Sequence, residues 1–510
     1  MHQASLRRIE MSSSISSAAH RRKPVCPARL AAVMLVSLLL LTGCGLSTAR
    51  QLGNFSSLYA RGLYLEAEKA AMDSQQELNE IEGGDGLLLC LNAASAALAA
   101  GEYRRVVDLL DRAEALSGDA DLEGALSKTG GAAAEILVNR NVLGYEPRQY
   151  DRIFMNSYKA LAFLAMGDVD NARVELNRAF DRQRRAVDFF QAEIAKARDA
   201  GARRQADSSP NSSLDTQRIA QASRAQAERM ADEEHWKPYP DYVNPFATYL
   251  NGLFFLLAGQ DSGDLDKALN SLRRVRGMVG DNPYLEQDIA LAEAWINGSG
   301  NRRTTEPTVW VIFENGLAPD LAQARFNLPL FVVNARMPVK YFAVAFPALQ
   351  PGRPALSSLG LSNGGMPIAE TAPLADVGRV VGAEYKVRLP YELTMAALSA
   401  ASKAMLQYGA QQAGGGKDTA AGQAASAILA LYTAVTTTAD TRSWTSLPTD
   451  TQLARLSRPT DGRLTITTAE GRVLRTLTLP EARFCLIHVR MPTAGAEPAC
   501  AIIPFQEVLN

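Results

Sequence analysis

The sequence predicts an α+β fold: an N-terminal array of helical hairpins, then a mixed sheet carrying an Ala-rich helical hairpin. Three observations predict it. A helix–glycine–helix pattern recurs between residues 54 and 300. After Gly298-Ser299-Gly300, β-branched and aromatic runs take over. Within that second half, two Ala-rich stretches keep helical spacing. At 510 residues the chain is long enough for two or more domains of ~100–200 residues.

In the first half, four turns share one pattern: Gly62-Leu63-Tyr64…Ala67, Gly101-Glu102-Tyr103…Val106, Gly167-Asp168-Val169…Ala172 and Gly263-Asp264-Leu265…Ala268. Apolar residues then recur at helical spacing, as in Val106, Leu109, Leu110, Ala113 and Leu116, with matching upstream helices at Leu87–Ala100, Met155–Met166 and Tyr249–Ala258. Glycine permits the tight turn, the larger residue plugs the crossing, and the small residue lets the second helix approach. These features resemble the tetratricopeptide repeat. The glycines, however, lie 39, 66 and 96 residues apart, against a period of ~34 in a regular array. The array is therefore expected to be degenerate and interrupted, with ordinary antiparallel helices as the alternative. The largest interruption, Gln183–Asp241, reads as two charged helices around Asp207-Ser208-Ser209-Pro210, a protruding hairpin with a solvated face.

In the second half, Thr308–Glu314, Phe326–Asn334, Val339–Ala348, Arg463–Thr468, Val473–Leu479, Arg483–Met491 and Ala499–Phe505 read as strands, and Pro351–Pro367 as loop. Tyr391–Gln411 and Ala420–Thr438 are the Ala-rich helices, and Lys403, Gln407 and Gln423 favour their packing on the sheet over insertion into lipid. The expected domains are a signal peptide at 1–43, an anchor and tether at 44–53, the helical array at 54–300 with its hairpin at 183–241, and the α+β region at 305–510.

Placement in the cell is read from the N-terminus. Arg21, Arg22, Lys23 and Arg29 precede an apolar run from Leu30 to Leu41, which ends in Leu41-Thr42-Gly43-Cys44. Basic residues, a short apolar core and small residues before the cut mark a secretory signal. The run is shorter than the roughly 18 residues that span a bilayer. Met11 is an alternative start. The mature chain would hold 47 basic against 53 acidic residues, which disfavours a nucleic-acid partner. Past Cys44 only Cys90, Cys485 and Cys500 remain. Cys90 reads as a small buried hydrophobe. Cys485 and Cys500 flank a hairpin turn that would set them roughly opposite each other, a candidate disulfide in an oxidising envelope.

The small-residue-then-cysteine ending resembles a bacterial lipobox. That resemblance implies cleavage before Cys44, a covalent diacylglycerol on its thiol, an N-acyl chain and no other cofactor. Gly45, rather than aspartate, follows it, which by resemblance favours the outer membrane. The mature chain resembles a family of uncharacterised Gram-negative envelope lipoproteins with degenerate tetratricopeptide-like repeats. The matching segments are Asn156-Ser157-Tyr158-Lys159-Ala160-Leu161, Asn244-Pro245-Phe246-Ala247-Thr248-Tyr249-Leu250, Phe313-Glu314-Asn315-Gly316-Leu317-Ala318-Pro319 and Ala439-Asp440-Thr441-Arg442-Ser443-Trp444. Members look like neighbours, in gene order, of lipoproteins similar to activators of penicillin-binding proteins. The resemblance implies location and architecture, and no settled activity.

Catalytic motifs are weak. Gly360-Leu361-Ser362-Asn363-Gly364 fits the nucleophile pattern, which needs a strand running in and a helix running out. His235 and His488 are the only histidines past Cys44, and His488 reads as a strand residue. No two histidines or cysteines share metal-ligand spacing, and Asp119-Ala120-Asp121 has Gly130 where a calcium loop needs glutamate. Gly414-Gly415-Gly416-Lys417 reads as a linker.

Asp440, Arg442 and Trp444 have two readings: an anchor for a partner, or an internal ion pair under a tryptophan lid. The expected function is a non-enzymatic, lipid-anchored scaffold on the periplasmic face of the outer membrane. Its array would recruit envelope protein or peptide partners through Asn156, Tyr158 and Tyr249. The alternatives are an envelope hydrolase built on the C-terminal region around Ser362, and a surface-exposed adhesion or structural protein.

Overall fold

The first described helix, α1 (49–60), is already folded into the body of the protein. The computed structural model describes residues 49–72, 85–117, 145–206, 216–231, 237–239, 243–329, 341–413 and 438–505. Cys44 and the expected signal peptide at 1–43 lie outside them. Gly45–Asn510 clusters as one compact unit, an α+β assembly of helices on a mixed sheet, as the sequence predicts.

Three of the four glycine turns form as expected. Gly62, between α1 and α2 (Tyr64–Ala71), has φ 75°. Gly101, between α3 (Gly86–Ala100) and α4 (Tyr103–Ser117), has φ 82°, and its N–H donates to the carbonyls of Ala97 and Leu98. Gly167 joins α5 (Gln149–Ala165) to α6 (Val169–Ala206) at φ 77°. The fourth turn works differently. It falls between α8 (Pro245–Ala258) and α9 (Ser262–Val279), and Gly263 sits inside the first turn of α9. The Asp261 side chain caps that helix by accepting from Asp264 N–H at 2.9 Å. Asn244 and Asn282 cap α8 and α10 (Pro283–Ile296) in the same way, each followed by a proline that needs no helical donor. Every residue of α8 is buried, so it is a core helix rather than an amphipathic surface one.

The main sheet has strand order β11-β10-β1-β7-β6, with β1 (Thr308–Asn315) parallel to β10 (Phe484–Met491) and the other pairs antiparallel. Its remaining strands are β6 (Ala372–Asp376), β7 (Asp450–Ser457) and β11 (Ala499–Phe505). A second sheet, β5-β4-β8-β9, comprises β4 (Leu359–Asn363), β5 (Met366–Glu370), β8 (Arg463–Thr468) and β9 (Val473–Thr478). All of β1 is buried because the main sheet is a middle layer. Trp310 and Ile312 face the helices with Leu486, while Val309, Val311 and Phe313 face the second sheet with Ile487 and Val489. The period of two thus sorts one strand between two cores.

Three separate excursions of the chain pack together as an arm. The ribbon of β2 (Asp320–Pro329) and β3 (Tyr341–Gln350), the helix α7 (Thr216–Ala231) and the long helix α11 (Val377–Ala413) share two small cores. The first core, near the body, joins Ala227, Phe346, Leu389 and Leu393; the second, further out, joins Ile219, Leu328, Val344, Ala397 and Ala401. β2 and α11 therefore run outward while α7 and β3 return, with α11 packed against β3 and α7. The 37 residues of α11 span about 55 Å at 1.5 Å each. The hairpin expected at 183–241 has its two charged helices, the end of α6 and α7. Its second helix is sheathed by α11 and the ribbon, with Ile219, Ser223 and Ala227 buried and Arg218, Arg224 and Glu228 left exposed.

The first Ala-rich helix begins at Val377 rather than 391 and runs through Pro390; the second, over 420–438, lies almost wholly outside the described residues. Segment 359–376, read in part as loop, supplies β4, β5 and β6, and β7 was not foreseen.

Candidate functional site

Of the polar residues singled out in the helices, Tyr158 reaches a buried cluster on the helix-covered face of the main sheet, Tyr249 a second cluster beside it, and Asn156 lies between helices. On β1 and β10 the helix-facing positions alternate from apolar to polar: Trp310, Ile312 and Glu314 on one, Leu486, His488 and Arg490 on the other. Tyr158 of α5 donates to Glu314 Oε2 at 3.2 Å. His488 Nε2 lies 3.2 Å and Arg490 Nε 3.9 Å from the same oxygen. Arg490 also donates to the Glu314 carbonyl at 3.1 Å, the Ser446 carbonyl at 3.0 Å and the Tyr59 hydroxyl at 3.1 Å. Glu314, His488 and Tyr158 are at most 4% exposed. Burial raises the Tyr158 hydroxyl far above the usual range, and the Glu314 carboxyl adds to this. Glu314 Oε1 and His488 Nε2 make no hydrogen bond among the described residues. The chemistry of this group is a sealed acid–base cluster that ties α1 and α5 to the sheet.

A second cluster surrounds Asp288 of α10, which has no exposed surface. Tyr249 of α8 donates to its Oδ2 at 2.7 Å, Trp310 Nε1 donates to its Oδ1 at 2.8 Å, and Arg455 lies 3.3 Å from Oδ1. Burial pushes the Asp288 carboxyl up to about 6, against the pull of Arg455 and the two hydrogen bonds. A third buried carboxyl, Asp151, opens α5. Its Oδ2 accepts from the Tyr145 hydroxyl at 2.6 Å and Arg148 N–H at 2.8 Å, and burial raises it to about 7.

The expected partner-binding residues are corrected by this geometry. Asn156, Tyr158 and Tyr249 are each at most 1% exposed. Asn156 hydrogen-bonds Glu175 and accepts from Arg182 at 2.8 Å. Beside it, Lys159 bridges Glu175 at 3.0 Å and Asp111 at 2.7 Å. These side chains hold helix to helix and helix to sheet, so a partner cannot reach them in the folded protein.

Of the two readings of Asp440, Arg442 and Trp444, the internal one holds. Arg442 forks onto Asp440 at 2.8 and 2.7 Å and also pairs with Asp85 at the start of α3. Trp444 is 1% exposed, donates to Ser95 Oγ at 2.9 Å, and meets the Tyr158 ring edge-on at 5.7 Å.

The disulfide is likewise corrected. Cys485 lies opposite Pro504 and Cys500 opposite Val489. The two are thus four residues out of step, about 13 Å along the strand, where a bridge needs Cα atoms within about 7 Å. Both thiols are free, and burial pushes them up to about 12 and about 11.

Ser362 sits on β4 and is followed by the Gly364-Gly365 turn into β5, so its motif is strand–turn–strand. The apolar core between the two sheets separates it from His488, which points to the helical side. Among the described residues no group of three His, Cys, Asp or Glu side chains is placed to hold a metal.

Sequence reasoning missed Glu314 and Asp288 as the partners of the two tyrosines. The available signal was a glutamate at the parity of Trp310 in an otherwise apolar strand. Comparison of the chain with protein-family models, curated proteins and solved structures finds no match.

Proposed function

We propose that this protein is a non-enzymatic, lipid-anchored scaffold on the periplasmic face of the outer membrane, akin to envelope lipoproteins with degenerate tetratricopeptide-like repeats, and that it recruits envelope protein partners. The observation that carries the reading is Leu41-Thr42-Gly43-Cys44 at the end of the apolar run. Gly45, Leu46, Ser47 and Thr48 stand between this cysteine and Ala49, the first described residue, which lies in α1. Two or more acyl chains, at ~0.8 kcal/mol per buried methylene, give stable anchoring. The segment that follows is bolted to the turn between β10 and β11: Thr493 Oγ1 donates to the Ala60 carbonyl at 2.6 Å, and Tyr64 donates to the Glu497 carbonyl at 3.3 Å. With Asn156, Tyr158 and Tyr249 enclosed, recruitment falls to the outer faces, above all the exposed side of α7 on the arm.

The test is photo-crosslinking in intact cells from residues 224 and 228 on that face, in the full-length protein and in Cys44→Ala. The reading expects discrete adducts from the arm that disappear when Cys44→Ala leaves the outer-membrane fraction. Normal outer-membrane sedimentation of Cys44→Ala, or an arm that captures nothing, overturns it.

A further inference from the structure

At the start of α9, three cations surround one buried carboxylate. Arg173 of α6 holds Asp264 in a two-bond fork at 3.0 and 2.7 Å, and Gln260 N–H adds a bond to Oδ2 at 2.7 Å. Asp264 is thereby satisfied. Lys267, one turn further along α9, has no carboxylate within 4.0 Å among the described residues. Its ammonium bonds the Asn177 side-chain oxygen and lies 4.0 Å from the centre of the Phe255 ring. Arg302 also lacks a carboxylate partner there; it donates to the Leu256 carbonyl at 3.0 Å and lies over the Trp295 ring. Arg173 Nε is buried and makes no hydrogen bond among the described residues. Burial disfavours the charged forms of Lys267 and Arg302, and Asp264 offsets this only in part. The other carboxylate acting on Lys267, Asp181, is exposed and so screened by water.

Partly buried cations in excess over their carboxylates, set against aromatic walls, are costly unless an anion completes them. Arg173, Asn177 and Phe180 share one stripe of α6, and Phe254 and Phe255 form the floor under Arg173. We propose that Arg173, Lys267 and Arg302 form an oxyanion-binding notch that takes a carboxylate or phosphate group. Lys267 and Arg302 supply charge-assisted donors, and the Arg173–Asp264 fork holds the notch open.

The test is the rate at which an amine-reactive ester modifies Lys267 in the full-length protein, read by peptide mass spectrometry. Phosphate, acetate and chloride are compared at equal ionic strength, with exposed Lys69 as the control. At tenfold excess over the dissociation constant, occupancy should slow Lys267 modification about tenfold and leave Lys69 unchanged. Protection by phosphate alone, acetate alone or both supports the notch and assigns its chemistry. Equal rates at Lys267 in all three salts, or equal protection of Lys69, overturn it. A Lys267→Gln variant gives an independent readout: phosphate should raise the melting temperature of the wild type over chloride and fail to do so in the variant. The same shift in both also overturns the proposal.

Discussion

Asp151→Asn should gain stability relative to the wild type as pH rises. The carboxyl has no exposed surface, its Oδ1 is unpartnered, and burial raises it from an ordinary 3.8 to about 7. Between those values the folded state holds a proton that the unfolded state has released. The stability contributed by this group is therefore fully present below pH 3.8 and is lost as pH rises through about 7. Each full pH unit in that window costs about 1.4 kcal/mol, less near pH 7 where the folded-state group itself ionises, so the wild type loses about 2 kcal/mol through this site between pH 5 and pH 7 and roughly 3 by pH 8. Asparagine keeps an oxygen for the Tyr145 hydroxyl and Arg148 N–H and carries no titratable charge. Its amide nitrogen would sit without a partner, at a pH-independent cost of about 1–3 kcal/mol. The assay is urea unfolding followed by circular dichroism at pH 5, 6, 7 and 8 at fixed ionic strength, both proteins side by side. The variant should gain about 3 kcal/mol on the wild type across the series. A difference that stays flat with pH, or that runs the other way, refutes the reasoning. Asp288 and Asp450, both raised to about 6 by burial, titrate alike in the two proteins and cancel.

Tyr158→Ala with Tyr249→Ala should lower the helical melting temperature, because each removes a buried ring at about 3–5 kcal/mol. Any loss of partner capture should track unfolding, and capture lost at full helical content contradicts this. Arg442→Ala leaves Asp440 and Asp85 without their cation and should cost about 3 kcal/mol by thermal melting. Arg442→Lys should recover only part of that, since it cannot reproduce the fork. Alkylation of the unfolded, unreduced protein should label both Cys485 and Cys500, and reductant should leave the melting temperature unchanged. A bridged peptide refutes that placement.

The strands legible in the sequence were those with apolar residues on both faces, such as Thr308–Asn315 and Phe484–Met491, along with the short hairpin around Gly471. β7 carries Gln452 and Arg455 among its apolar residues, which blurs a strand pattern; both are paired inside, Arg455 with Asp288 and Gln452 with Thr371 and Asp450. The expected helix starts at Tyr391, just after Pro390, yet α11 runs through that proline with Leu389 and Leu393 on either side of it packed on α7 and the ribbon. The site was misread for a related reason. Asn156, Tyr158 and Tyr249 carry polar atoms on helices, a pattern shared by binding grooves and by buried seams. The difference lies in partners such as Glu314, 156 residues from Tyr158, which spacing along one helix cannot reveal. The cysteine pair failed on register: the turn at 492–498 is flanked by Arg490 opposite Ala499, which offsets the two thiols.

The scaffold account stands on Cys44, so its most direct test is the mass of the N-terminal tryptic peptide from protein isolated from envelopes. The account predicts a peptide beginning at Cys44 and ending at Arg50, carrying a diacylglyceryl group on the thiol and an acyl chain on the new amine. A mature N-terminus upstream of Cys44, or an unmodified Cys44, would contradict it.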